Sequence, residues 1–202
     1  MNENIPEALR TIVEQLQKFP GLGPKSALRC ALFLLDLPER DVKTLGTNIA
    51  SLRDILFKCT HCGTLSDTEI CSLCSDTGRD DTLLCIVREW DSFLHIENAG
   101  FYKGRYLVLT PSESTSGVHL DSSDIQRLRT ALERRKVEEV ILGLGTTLEA
   151  ENTITSLSHL IKKEYPHIAI TRLAQGIPLG AEVKFMDKET LRQSMRYRHS
   201  LE

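Results

Sequence analysis

Apolar residues recur at Ile5, Leu9, Ile12, Val13, Leu16 and Phe19, the spacing of one helix face, and predict a helix over 5–19. Pro6 suits its first turn. The run Phe19-Pro20-Gly21-Leu22-Gly23-Pro24 cannot continue that helix, and a second apolar helix is predicted over 25–35. Residues 36–58 read as one or two further helices. Their stripe of Leu45, Ile49, Leu52, Ile55 and Leu56 is most simply a packed core face. After Asp81 the period changes. Short apolar runs at 82–87, 105–110, 139–144 and 168–173 predict strands, with helices over 90–96, 121–137 and 149–164 between them. Strands alternating with helices imply a mostly parallel sheet covered on both faces. The expected fold class is α+β in several parts: N-terminal helices, a cysteine-rich element, an α/β domain with a mostly parallel sheet, and a C-terminal helical tail.

Charge and length narrow the function. The 202 residues carry 25 Lys and Arg against 28 Asp and Glu, a net charge of -3. That excludes nucleic-acid binding by bulk charge and leaves room for a local basic surface. The longest apolar runs, 30–35 and 140–144, fall far short of the ~20 residues of a membrane span. The opening MNENIPEAL has neither a basic nor an apolar signal region, so a cytoplasmic protein is expected, without membrane partners.

The cysteines change the picture most. Cys59, Cys62, Cys71 and Cys74 form C-x2-C-x8-C-x2-C. Each knuckle sets two thiolates on a tight turn, and two knuckles face to face supply a tetrahedron of sulfur suited to structural Zn2+. Gly63 allows the first turn, and the polar residues Asp67, Thr68 and Glu69 suit a hairpin loop between the knuckles. Two disulfides or a redox dithiol are the competing readings, disfavoured in a reducing compartment. His61 reads as a bystander, and Cys30 and Cys85 as buried, inert thiols.

The glycine-bracketed turn carries a second signal. Lys18, Lys25 and Arg29 give the segment 15–35 a local charge of +3 with no acidic residue before Asp36. Glycines admit close backbone approach, and a helix N-terminus attracts phosphate. The competing reading is a plain αα-hairpin whose glycines only make the turn. FPGLGPKSALR resembles the helix-hairpin-helix motif, which binds the DNA backbone without reading bases. Gly21 and Gly23 match its hairpin glycines, and Ala27 its small packing position.

Acidic residues recur where strands are expected to end, at Glu89, Glu149 and Glu151. Ligands of open α/β sheets bind there, and three convergent carboxylates could hold Mg2+. The competing reading is glutamate at helix starts, where the dipole favours it. Their order along 82–177 resembles the Toprim domain of topoisomerases, primases and related nucleases. Enzymes of that family carry Asp-x-Asp where this chain has Glu149-Ala150-Glu151, and the longer arms argue against catalytic Mg2+ geometry.

A helix-hairpin-helix, a four-cysteine element and a Toprim-like domain in this order closely resemble the bacterial RecR family of recombination mediators. The match runs along nearly the whole chain through LCIVREWDSFLHIE, TTLEAENT, TRLAQGIPLG and MDKETLRQSM; residues 111–120 depart from the family pattern. The resemblance implies a helix-hairpin-helix DNA-binding region at 1–58, a C4 zinc finger at 59–74, a Toprim domain at 82–177 and an oligomerisation tail at 178–202. It implies a homodimeric or homotetrameric clamp with Lys25 and Arg29 facing DNA. Glu89, Glu149 and Glu151 match the docking site for the partners RecO and RecF. The implied work is loading RecA on single-stranded gaps in recombinational repair, with no catalysis. The alternative is a Mg2+-dependent Toprim nuclease or topoisomerase-like enzyme, against which the chain is short. A bare zinc-ribbon binding protein is the third reading. Lys188, Arg192, Arg196 and Arg198 form either a second basic surface or a solvated helix end.

Overall fold

The computed structural model describes residues 5–109 and 120–200. The segment that departs from the family pattern lies, apart from Leu120, outside the described residues. The chain divides into two compact units, 1–55 and 56–202.

In the first unit, α1 (Glu7–Leu16) and α2 (Pro24–Asp36) pack through Val13, Ala27 and Ala31, with Leu9, Leu16 and Leu28 around them. Alanine at the contact lets the helices close on each other. The turn between them uses Gly21 at φ +80, and Gly23 caps α2 ahead of Pro24 at its first position. Leu37 is extended because Pro38 follows it. One helix, α3 (Glu39–Ile55), fills most of 36–58. Its stripe is not a packed core face: no α3 residue is buried, and Ile49 is 60% exposed. The apolar periodicity made a helix, but nothing within the described chain covers it.

The second unit opens on a two-stranded antiparallel ribbon, β1 (Phe57–Lys58) with β2 (Leu65–Ser66), followed by the single turn α4 (Ser72–Ser75). Then come β3 (Asp80–Val87), α5 (Trp90–Asn98), β4 (Gly104–Val108), α6 (Ser122–Arg134), β5 (Glu139–Gly143), α7 (Leu148–Glu164) and β6 (Ala169–Arg172). The four long strands form one parallel sheet in the order β4-β3-β5-β6. Alternation splits the core. Leu84, Ile86, Leu107, Val140 and Leu142 face α6 and α7, meeting Leu128, Leu132, Leu157 and Ile161. Cys85, Val87, Tyr106 and Val108 face the other way, towards Phe93 of α5. That second cover reaches β3, β4 and, through Ile141, β5, while among the described residues three of the four in β6 stay exposed. Asp121 and Thr147 cap α6 and α7 through Ser123 N–H and Ala150 N–H. A 3-10 turn (Val183–Phe185) and α8 (Lys188–Arg196) end the chain, with Asp187 capping α8.

Candidate metal centre and nucleic-acid interface

The ribbon and α4 exist to converge sulfur. Cys59 follows β1, its N–H donating to Thr64 O at 2.7 Å, while Gly63 N–H returns to Cys59 O at 2.9 Å. Cys71 caps α4, and Cys74 N–H donates to Cys71 O at 3.1 Å. The four Sγ atoms lie within 4.8 Å of one another, with Cys62 and Cys71 3.5 Å apart. Zn–S bonds of about 2.3 Å in a tetrahedron require S···S separations of about 3.8 Å, so the donor set fits zinc. Cys71 N–H points at Cys59 Sγ, 3.4 Å away, and Thr64 Oγ1 lies 3.1 Å from Cys62 Sγ. Hydrogen bonds from Cys62, then Cys71 and Cys74, hold the Cys59 thiol far below its ordinary range, and those from Cys59, then Cys62 and Cys71, push Cys74 far above it. Four crowded sulfurs cannot all ionise alone; a dication among them removes that conflict.

All six cysteines are unbridged, and His61 stands outside the sulfur group. Cys85 is buried as expected, its thiol pushed up to about 12 by burial. Cys30 is not: the buried face of α2 is narrow, centred on Ala27 and Ala31, and Cys30 lies exposed beside it.

The metal element is latched to the sheet. Cys62 O accepts from Val108 N–H at 2.7 Å. Gly63 sits there at φ +76, where an added Cβ would come within 2.5 Å of Val108 O. Gly63→Ala is therefore expected to lower the melting temperature. Backbone strain alone costs about 1–3 kcal/mol, and the carbonyl contact adds to it. An unchanged melting curve would refute this. Two arginines with side chains only 7% exposed join the same region: Arg105 donates to Asp81 and to Leu73 O, and Arg79 to Gly104 O and Glu97. Sequence patterns missed both, because a single arginine near a strand start carries no signature.

In the first unit the basic residues expected near the hairpin are placed on the surface. Lys18, Lys25 and Arg29 are exposed, and none has an ion-pair partner among the described residues. Lys25 and Arg29 stand one turn apart at the start of α2, while Ala27 between them is fully buried against α1. A Cβ added at Gly21 or Gly23 would meet nothing within 4 Å, so the hairpin backbone is open to an approaching group. The first turn of α2 has no side-chain cap and no acid. Its N–H groups suit phosphate oxygens.

The three carboxylates are only partly gathered. Glu89 and Glu149 line a cavity of about 310 Å³ at the strand ends, with Arg88, Ser92 and Thr147; Glu151 is not part of it. Glu149 is ion-paired with Arg88, whose hydrogen bond holds the carboxyl below its usual range. Glu151 pairs with Arg172 at 3.1 Å. Among the described residues the cysteine quartet is the only group of three or more His, Cys, Asp or Glu side chains close enough to share a metal, so the three carboxylates that could have held Mg2+ do not converge, and Glu149 and Glu151 stand in the first turn of α7 as the helix-start reading has them. Arg88 and Arg172 have taken up the arms of Glu149 and Glu151.

Residues 9–52 match the family model described as RecR, helix-hairpin-helix. Residues 56–76 match the RecR zinc finger domain of the four-cysteine type, and 176–199 match RecR, C-terminal. Recombination protein RecR of Nitratidesulfovibrio vulgaris is 50% identical over 203 residues, covering 98% of this chain and 100% of the relative. The protein of the same name from Maridesulfovibrio salexigens is 47% identical with the same coverage. That of Francisella tularensis subsp. novicida is 34% identical over 96% of each chain. This chain belongs to the RecR family.

Within a RecR-family chain the zinc-finger match spans Cys59, Cys62, Cys71 and Cys74, the clustered sulfurs that fit structural Zn2+ and would hold it. Four thiolates would fill the coordination sphere of the metal and leave no position for a reacting ligand. The family is one of recombination proteins, which places the chain in recombinational repair of DNA. Among the described residues no helix is long and apolar enough to cross a membrane.

Proposed function

We propose that this RecR-family chain is a non-enzymatic DNA-binding recombination mediator, an oligomeric clamp that works with RecO and RecF to load RecA on single-stranded gaps. The observation that carries the DNA-binding part is the hairpin: two open glycines, an uncapped helix start, and Lys18, Lys25 and Arg29 exposed without ion-pair partners among the described residues. These groups grip phosphates without reading bases. A net charge of -3 suits a protein that encircles DNA and repeats a few cations by symmetry.

Oligomerisation through the N-terminal helices and the tail is supported by exposed apolar side chains in both. Phe33 is 61% exposed in α2, the α3 stripe is uncovered, and Phe185 and Met195 are 72% and 70% exposed in the tail. Light scattering with and without DNA tests the clamp: a dimer or tetramer is expected, and a strict monomer at high concentration would end the reading.

The organisation proposed is a DNA-binding region at 1–58, a zinc finger at 59–74, a Toprim-like docking domain at 82–177 and a tail at 178–202. Glu89, Glu149 and Glu151 mark the partner face. The pairing of Glu149 with Arg88 and of Glu151 with Arg172 counts against a Mg2+ nuclease and in favour of a surface that exchanges salt bridges with a partner. Glu149→Ala with Glu151→Ala is expected to weaken RecO capture in a pull-down while DNA binding and melting temperature hold. Undiminished capture of RecO would remove the acidic site from the proposal.

A further inference from the structure

The sheet reaches into the zinc element through one side chain. Arg105 is the second residue of β4, and its side chain is almost wholly buried, 7% exposed. Its Nη1 donates to Leu73 O at 2.6 Å and Cys74 O at 3.4 Å, both carbonyls of the second cysteine knuckle. Its Nε donates to Asp81 Oδ1 at 2.8 Å, and Arg135 Nη1 donates to that same oxygen at 2.6 Å. Asp81 is thus a fixed bracket for two guanidinium groups. A cavity of about 250 Å³ opens beside them, lined by Cys62, Cys74, Arg105, Arg134 and Arg135. One cysteine of each knuckle therefore borders the same cavity as the arginines.

Charge explains why arginines should gather there. A dication with four thiolates keeps two net negative charges, and a half-buried centre must have them balanced by nearby donors and cations. Backbone N–H groups supply part of that balance, as Cys71 N–H does for Cys59 Sγ. We propose that Arg105, held by the Asp81 carboxylate that also takes Arg135, is a positioning residue of the zinc centre: it fixes the second knuckle by its carbonyls and sets its charge against the Cys62 and Cys74 thiolates. Zinc affinity then depends on a residue of the sheet far from the cysteines in sequence. The two parts of the chain hold each other: a folded sheet presents the guanidinium, and a metallated knuckle supplies its acceptors.

The test is equilibrium competition for zinc between the full chain and a chromophoric chelator, together with the thiolate-to-metal charge-transfer band of the cobalt-substituted protein. Loss of an outer-shell partner of a metal site costs about 10- to 100-fold in affinity, and Arg105→Met is expected in that range with a shifted band. Arg105→Lys, which keeps charge and loses the planar fork, is expected to fall between Arg105→Met and the unchanged protein. Asp81→Asn is expected to weaken zinc binding less than Arg105→Met and to shift the band in the same direction. Arg129→Gln, which breaks a pair with Glu164 away from the cavity, is expected to change neither readout. Unchanged affinity in Arg105→Met would overturn the proposal. So would a loss of affinity with the band unmoved, since the arginine would then only brace the fold. Should Arg105→Met fail to fold, Asp81→Asn decides: wild-type affinity and band in that variant overturn it equally.

Discussion

Cys59→Ser is expected to yield a chain without zinc, in which residues 59–74 no longer hold their fold. The element has almost nothing else to stand on. Its two strands are two residues each, its helix is one turn, and its buried cluster is Cys59, Cys62 and Cys71 with Leu73 and Cys74 at the margin. The sulfurs are the core, and the metal is what lets them be one. Apparent zinc-binding energies in zinc-finger peptides are about 10–16 kcal/mol at neutral pH, and that binding energy is folding energy. A serine oxygen keeps its proton and is a poor fourth ligand beside three thiolates. The damage should spread no further than the contacts described: Val108 N–H loses Cys62 O, and Arg105 loses Leu73 O. The α6–α7 face of the sheet, built on Leu84, Ile86, Leu128 and Leu157, has its own packing. Metal content by atomic spectroscopy, limited proteolysis across 59–74 and a thermal scan check this. A metal-free variant that melts like the parent would contradict it.

Lys25→Ala combined with Arg29→Ala is expected to lower DNA affinity at least about tenfold and to flatten its salt dependence. Charge-assisted hydrogen bonds contribute about 1.5–3 kcal/mol each, reduced here by exposure to solvent. Each phosphate contact removed lowers the slope of log K against log salt by about 0.7–0.9. Two contacts per subunit, multiplied by the copies in a ring, make the change large. Folding should be spared, because both side chains are exposed and the α1–α2 contact runs through Val13, Ala27 and Ala31 on another face. Titrations of fluorescent DNA at several salt concentrations provide the measurement. A parallel salt dependence in the double variant would move the DNA contact elsewhere.

Much of this was legible in the sequence where the determining distances are short. The zinc ligands follow from spacing within sixteen residues, and the four parallel strands from apolar runs bounded by helical periods. Ends shifted by a few residues, as at α1, which starts at Glu7 and stops at Leu16 where the apolar face continues to Phe19. What failed was long-range. The stripe of α3 specifies a helix but not its cover, and it lies exposed. The sequence left the three glutamates open between a joint carboxylate site and helix starts; Glu149 and Glu151 do open α7, but their partners were out of reach, Arg88 from 61 residues away and Arg172 from 21 residues away. Arg105 gave no sign at all, since its acceptors are carbonyls 31 and 32 residues earlier. Partners supplied by another strand or knuckle leave no local period to read.

β4 is the outermost strand on one side of the parallel sheet, and Leu109 N–H just beyond it points inward to Val87 O. Val108 N–H, one residue earlier, must therefore point outward, where Cys62 O meets it. Among the described residues the metal knuckle thus takes up the outward Val108 N–H of this edge strand, a donor that would otherwise be open to a neighbouring molecule. Zinc starvation would then be felt as clumping through strand-to-strand adhesion, well before the interior of the sheet gave way.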